Sequence, residues 1–376
     1  MWLLCLSGLL GMAATADAFN FFVFPEISSL SSYALIAMGR DRRALTAAFQ
    51  YLVMGTIGAT FILIAVAFLY LSTGTLNMAD MAQRLPSAAG SRTVASAFAF
   101  LTVGIGLKMA MFPLHQWLPN AYAFAPGAVS AFLAATATKV AVYGLVRFVF
   151  SVFGVDYSFG SMPLPLVLAA LAAAAVLVAS TVAIYQENLK RMLAYSSVAQ
   201  IGYMLLGIAL ATPAGLAAAV AHVFNHALIK GALFLSLACT AWRYRSSMGA
   251  ELAGAGRAMP FTCGAFVVGA LSMVGVPLTA GFASKWLLLG AAIEAGWWPL
   301  AVVVVLGSLL AAIYMWRALE VLYRRPAGSA PVREAPLVLL VPTWLLALAN
   351  VYFGFATDYS VGVAEAAAAW LFAATP

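Results

Sequence analysis

Charge is what this sequence has least of. Only 8% of its 376 residues are Asp, Glu, Lys or Arg, against 65% hydrophobic, and its mean hydropathy is +1.00. A soluble domain carries about 25% charged residues, so this chain cannot cover a water-facing surface. It reads as a polytopic membrane protein. Cysteine is also scarce. Cys5, Cys239 and Cys263 are far apart, in or beside apolar stretches, which excludes a disulfide framework and a metal spacing and leaves packing as their role. Acidic residues are few, 12 against 19 basic, for a net charge of +7. Such a balance suits nucleic acid in principle, but the placement of the charges points to membrane topology.

What is abundant is apolar sequence in long runs. A spanning helix needs about 20 such residues. By that measure there are eleven segments, approximately 1–14 (short), 18–38, 44–73, 93–114, 126–150, 163–185, 192–211, 214–241, 260–292, 297–324 and 336–356. The connections are short, with turn residues in LPSAAGS (85–91) and RRPAGSAP (324–331), and no soluble domain fits between the spans. The fold class is therefore all-α, in a single integral membrane domain over 1–376. The tail SVGVAEAAAAWLFAA (360–374) reads as a short interfacial C-terminal helix. The opening MWLLCLSGLLGMAATADA has the apolar core and small-residue end of a signal peptide. No basic residue precedes that core, however, and the first in the chain is Arg40, so 1–14 is read as a partial first helix.

Placing alternate connections on opposite sides tests this map. One side takes Arg40, Arg42, Arg43, Lys190, Arg191, Arg243, Arg245, Arg257, Arg324, Arg325 and Arg333; the other takes only Arg84, Arg92 and Arg147. The positive-inside rule makes the first side cytoplasmic and puts the C-terminus outside.

Four lysines lie inside apolar segments: Lys108, Lys139, Lys230 and Lys285. So do His115, His222 and His226, at least at segment ends, and Glu26 is embedded in FNFFVFPEISSLSSYAL. Each central Lys costs roughly 2.5–3.5 kcal/mol, and four unpaired on the order of 10–14 kcal/mol. A chain keeps such a row where it lines a hydrated path or holds counter-charges. His222, His226 and Lys230 stand at i, i+4 and i+8 on one helix face. H-x3-H also recurs in zinc enzymes, but Val223 stands where H-E-x-x-H has its Glu, and no carboxylate or Cys is near. A proton relay suits the row better than a metal, because imidazole exchanges protons near neutral pH. Two segments also carry breakers beside a buried cation: VGIGLKMAMFPLHQWLPNA (103–121), with Pro113 and Pro119, and SMVGVPLTAGFASKW (272–286), with Gly275, Pro277 and Gly281. Both read as discontinuous helices at an ion site.

These stretches resemble the proton-antiporter family shared by complex I and the Mrp-type multisubunit sodium/proton antiporters. The likeness is carried by FNFFVFPEISSLSSYAL, KMAMFPLHQWLPNAYAFAP, TKVAVYGLVR, ENLKRMLAYSSVAQIGYMLLG, HVFNHALIKGALFL and GVPLTAGFASKW, in that order across nearly the whole chain. The family has fourteen helices in inverted repeats of five. The eleven here are similar to its fourth to fourteenth, which leaves about three N-terminal helices without a counterpart. The style of FPEISSLSSYALIAMG and FNHALIKGALF looks most like the D component of the Mrp-type antiporters.

The resemblance implies a proton and ion pathway through Glu26, Lys108, Lys139, His222, His226, Lys230 and Lys285. Lys108 would hold and release the mobile proton with Glu26 as its counter-charge, Lys139 and the His222–Lys230 row would relay it, and Lys285 would gate exchange with one side. It implies monovalent cation (Na+)/proton antiport in a bacterial inner membrane, with other membrane subunits, lipid, protons and Na+ as partners and no nucleic acid. The alternatives are a proton-pumping subunit of a complex I-type NADH–quinone oxidoreductase or membrane-bound hydrogenase, and a non-transporting scaffold. No redox cofactor motif occurs, so no catalytic site of its own and no cofactor or metal is expected. The chain departs from the family at Asn120-Ala121-Tyr122, where many members have Asp-Ala-His, and at Pro25, where an aromatic residue is common. No long helix follows the last span.

Overall fold

A computed structural model describes residues 1–323 and 333–373. The expected connection over 324–331, with Arg324 and Arg325, lies outside the described residues, as does Ala374 at the end of the tail. Among the described residues the chain is helical without a strand. The helices are α1 (Trp2–Ala14), α2 (Ala18–Ala37), α3 (Arg43–Thr73), α4 (Met78–Ala88), α5 (Arg92–Lys108), α6 (Trp117–Phe124), α7 (Gly127–Ala135), α8 (Ala137–Val146), α9 (Leu164–Ala174), α10 (Ser180–Ile184), α11 (Leu189–Ala209), α12 (Pro213–Tyr244), α13 (Ala255–Ala258), α14 (Pro260–Val274), α15 (Ala280–Glu294), α16 (Trp298–Tyr323), α17 (Leu337–Phe355) and α18 (Thr357–Ala373). Lipid offers no hydrogen bonds to the backbone, so apolar runs of this length must satisfy their own N–H and C=O groups as helices. Among the described residues, seven helical stretches are long and apolar enough to cross a membrane. The other four expected segments are α1, α2 and the two broken pairs, α5 with α6 and α14 with α15.

Each broken pair is the fourth span of a five-span unit: α1 to α8 in the first, α9 to α16 in the second. Five is odd, so the second unit enters from the opposite face and is inverted, as repeat-built transporters are. Polar side chains set several helix starts. Asp17 accepts from Asn20 N, Asn77 from Ala79 N and Asp80 N, and Asn188 from Arg191 N.

The structure departs from the sequence reading in three places. Residues 85–91, read as a turn, largely belong to α4: Met78, Met81 and Leu85 fall on one buried face, and Asp80 pairs with Arg84 one turn on at 2.8 Å. A third interruption occurs at Thr136, between α7 and α8, where φ is −120° and ψ is −57°. Lys190, assigned to a connection, lies in the first turn of α11 and is only 5% exposed; its Nζ donates to Ala125 O at 2.6 Å. That carbonyl ends α6 and is outside the helical ladder, because Ala125, which precedes Pro126, is extended with ψ 157°. The tail, expected as an interfacial helix over 360–374, is helical as α18. It lies along α12 with Ser360, Ala364 and Ala368 buried, and Phe372 meets Phe150 at 5.4 Å.

Both expected breaks hold residues in the left-handed region. Ala110 has φ 59°, Gly275 φ 90° and Leu278 φ 69°, conformations that side chains adopt only where the surroundings hold them. In the second break, Gly281 N donates to Ser272 Oγ at 3.1 Å, and a Cβ on Gly281 would run into the Ser272 carbonyl. Gly281→Ala should therefore destabilise the chain by about 1–3 kcal/mol, read as a fall of a few degrees in the thermal melt in detergent. Gly362→Ala, which adds a methyl to open space on α18, should leave the melt unchanged. Equal melts for the two variants would show that the α14–α15 contact does not need glycine.

Candidate functional site

The first cation lies where α5 ends. Lys108 Nζ donates to Glu26 Oε1 at 2.6 Å and to Ser29 Oγ at 3.0 Å. Glu26 and Ser29 are one turn apart on α2 and so share a face. Both α2 and α5 lie along α3, and the lysine stem reaches across to the carboxylate. The two side chains are not equally enclosed, at 6% exposed for Lys108 and 23% for Glu26. The break beyond Lys108 is braced by Trp117, whose Nε1 donates to Leu107 O at 2.9 Å and whose ring stacks on Tyr51 at 3.8 Å.

Two more lysines meet carbonyls at helix interruptions. Lys139 Nζ donates to Ala134 O, beside the break at Thr136, and is 3.5 Å from Thr138 Oγ1. Lys285 Nζ donates to Met273 O at 2.9 Å and Val274 O at 3.2 Å, the last carbonyls of α14, and lies 4.9 Å over the Tyr203 ring. Helix C-termini carry partial negative charge and unpaired carbonyls. The chain thus offsets buried ammonium groups by interrupting helices next to them.

The centre belongs to α12, which packs on α7, α11, α15, α17 and α18. His222 is fixed at both ring nitrogens: Nε2 is 2.9 Å from Gln200 Oε1 on α11 and Nδ1 is 2.9 Å from Ser284 Oγ on α15. An amide oxygen only accepts, so Nε2 donates to Gln200. His226 is parallel to His222, with ring centroids 5.9 Å apart. Lys230 is fully enclosed; its Nζ donates to Leu193 O at 2.7 Å and to Ser196 Oγ at 2.6 Å. Buried polar atoms are nearly always paired. Around this centre several have no partner among the described residues: both ring nitrogens of His226, Gln200 Nε2, Asn225 Oδ1 and Tyr314 Oη.

All seven residues singled out in the sequence are thus enclosed or nearly so. Glu26 and Lys108 are brought together directly. His222, His226 and Lys230 share one helix, and His222 is hydrogen-bonded to Ser284, the residue before Lys285. No hydrogen bond joins Lys139 to this row among the described residues, although α8 touches α12. The sequence reading missed Lys190, Ser196, Gln200 and Ser284 as polar partners. One signal was available for two of them. Ser196 and Gln200 stand at i, i+4 within an apolar spanning segment, where polar side chains hydrogen-bond across to other helices.

The sequence model for the transmembrane region described as NADH:quinone oxidoreductase/Mrp antiporter matches residues 15–311. The chain belongs to this antiporter family. Subunit N of the NADH-quinone oxidoreductase of Desulforudis audaxviator is 45% identical over 368 residues, covering 94% of this chain and 73% of that one. A chain of the Mrp complex from Dietzia sp. matches with a TM-score of 0.90 and 29% identity, over 98% of this chain and 77% of that one. A chain of respiratory complex I from Thermus thermophilus matches with a TM-score of 0.78 and 29% identity, over 96% of this chain and 78% of that one. The likeness to the Mrp D component read from the sequence thus stands beside a relative named as an N subunit. The family's solved members here come from multisubunit membrane complexes, and this chain has their fold.

Proposed function

We propose that this antiporter-family chain carries protons across the bilayer as the subunit N-type member of a quinone-reducing, complex I-type membrane assembly. The observation that carries the reading is the buried row: the Glu26–Lys108 ion pair, then Lys139, then His226, His222 and Lys230, then Lys285. In this reading a proton held on Lys108 leaves when Glu26 moves away from it, passes Lys139 and the α12 centre, and exits past Lys285. The unpaired groups around His226 and Gln200 support it, because water bridging them would complete a wire of hydrogen bonds. Among the described residues no redox centre is suggested by any motif, so the driving energy would come from partner subunits. The basic end would face the cytoplasm and the C-terminus the other side of a bacterial inner membrane.

Sodium/proton exchange is the second reading, favoured by the TM-score of 0.90 against the Mrp chain. The two separate by experiment. The native assembly, isolated in mild detergent, is expected to bring iron–sulfur or flavin subunits with it. In proteoliposomes it should acidify or alkalinise the lumen when quinone is reduced, with no need for Na+. Isolation with small hydrophobic subunits alone, and proton movement only against a Na+ gradient, would replace the pump by the antiporter. Absence of any proton movement by either drive would leave the scaffold.

A further inference from the structure

A cavity of about 450 Å3 opens between α3, α6 and the start of α11, on the end of the bundle that bears Arg40, Arg42 and Arg43. Gln50, His115, Asn120 and Arg191 are among its lining residues, and none of the described lining residues is acidic. Arg191 is the one formal charge among them.

The electrostatics of this corner are unbalanced. Arg191 is in the first turn of α11, where the helix dipole favours anions, and that turn has no acidic residue. Its neighbour Lys190 points elsewhere, to Ala125 O. Arg191 joins none of the ion pairs among the described residues. Its guanidinium lies 6.0 Å over the Tyr195 ring, and its buried Nε has no hydrogen-bond partner. His115 Nδ1, also buried, likewise has none. Arg43, by contrast, is already held by Asp41 and by the Phe124 ring at 4.6 Å. Asn120 spends its amide on Gln50, donating to Oε1 at 3.0 Å. A helix dipole and a guanidinium therefore stand at a space without a counter-charge among its described lining residues.

Apolar side chains also line this cavity. Phe49 is 65% exposed and Val53 39%, both on the outward side of α3. These features suit a ligand with an anionic head and an apolar remainder. From these features we infer that the cavity binds a phosphate-type anion on Arg191, the phosphate of an anionic phospholipid whose chains lie along Phe49 and Val53. A guanidinium matches phosphate oxygens bidentately. Inorganic phosphate shares the head chemistry but would leave the apolar rim unused.

The test is native mass spectrometry of the full chain, delipidated in detergent and given dioleoyl phosphatidylglycerol, dioleoyl phosphatidylcholine or inorganic phosphate. The wild-type chain should retain phosphatidylglycerol in preference to phosphatidylcholine. Arg191→Gln should weaken that retention about tenfold, the scale of one charge-assisted hydrogen bond. Asn120→Asp, which adds a carboxylate to the lining of the same cavity and keeps the shape of the side chain, should do the same even if Arg191→Gln does not fold. Arg84→Gln, on α4, should not. Inorganic phosphate binding with the same dependence on Arg191, and no preference for the lipid, would keep the anion site and assign it to a soluble phosphate. Equal phosphatidylglycerol retention by the wild type and Asn120→Asp would overturn the site.

Discussion

Replacing Glu26 with Gln should lower proton transport by the intact assembly about a hundredfold. The pair itself sets the scale: Lys108 Nζ has Glu26 Oε1 at 2.6 Å and Ser29 Oγ at 3.0 Å. Removing one partner of a buried ion pair leaves an uncompensated charge, at about 3–5 kcal/mol. Because the Glu26 side chain is 23% exposed, water screens part of that loss and the lower end applies. About 3 kcal/mol is roughly two orders of magnitude in the population of a state. Lys108→Ala should do the same by removing the proton carrier. The double variant should be no worse than either single one, since the two act as a unit. Glu26→Asp should keep part of the activity, its charge retained but set one methylene back. Assembly should survive all four, because membrane insertion loses little when a charge is removed. The measurement is lumenal pH in proteoliposomes holding the native assembly. Wild-type rates from Glu26→Gln would take this pair out of the mechanism.

Lys230→Met should lower transport about a hundredfold or more, the scale of losing a positioned proton-transfer group, while leaving the fold intact. The usual objection to mutating a fully buried residue is that its partners are stranded. Here they are not. Leu193 O also accepts from Ser196 Oγ at 2.9 Å and from Ser197 Oγ at 3.0 Å, so it keeps two donors when Lys230 Nζ is gone. Methionine fills much the same volume, and a buried charge is removed, so the thermal melt should be unchanged or higher. Lys230→Arg separates two roles. A guanidinium keeps the charge but does not give up its proton in proteins. A relay therefore fails with Arg, whereas a fixed electrostatic post works. Wild-type transport by Lys230→Arg would show that Lys230 only sets a field.

The two kinds of helix break show what a sequence can and cannot announce. The break after Lys108 and the one before Lys285 were legible because Pro113, Pro277 and Gly275 disfavour continuing a helix, whereas Pro119 is accommodated in the first turn of α6. The break at Thr136 was not. It lies in AFLAATATKVAV, where nothing forbids a helix. What interrupts it is tertiary: Tyr122 Oη donates to Leu133 O at 3.1 Å and Lys139 Nζ to Ala134 O, so side chains take carbonyls that the helix would otherwise use. Lys190 is the same lesson in reverse. Beside Arg191 and near a helix start it reads as a solvated loop charge. Its burial depends on the end of α6, 65 residues earlier in the chain, offering Ala125 O.

The sequence by itself determined the class of the protein, the spans, and which ionisable residues lie inside them. Apolar length and charge depletion leave no other solution in lipid, where the backbone must be satisfied within the helix and each charge needs a reason. It also placed His222, His226 and Lys230 on one face of α12, because helical spacing alone does that. Only the tertiary structure decided what that face meets. His222 is locked between Gln200 and Ser284, Lys230 rests on Leu193 O, and Lys108 finds Glu26 from a different helix. Periodicity gives a direction for a side chain, but its partner is set by how separate helices pack, through contacts between residues far apart in the chain.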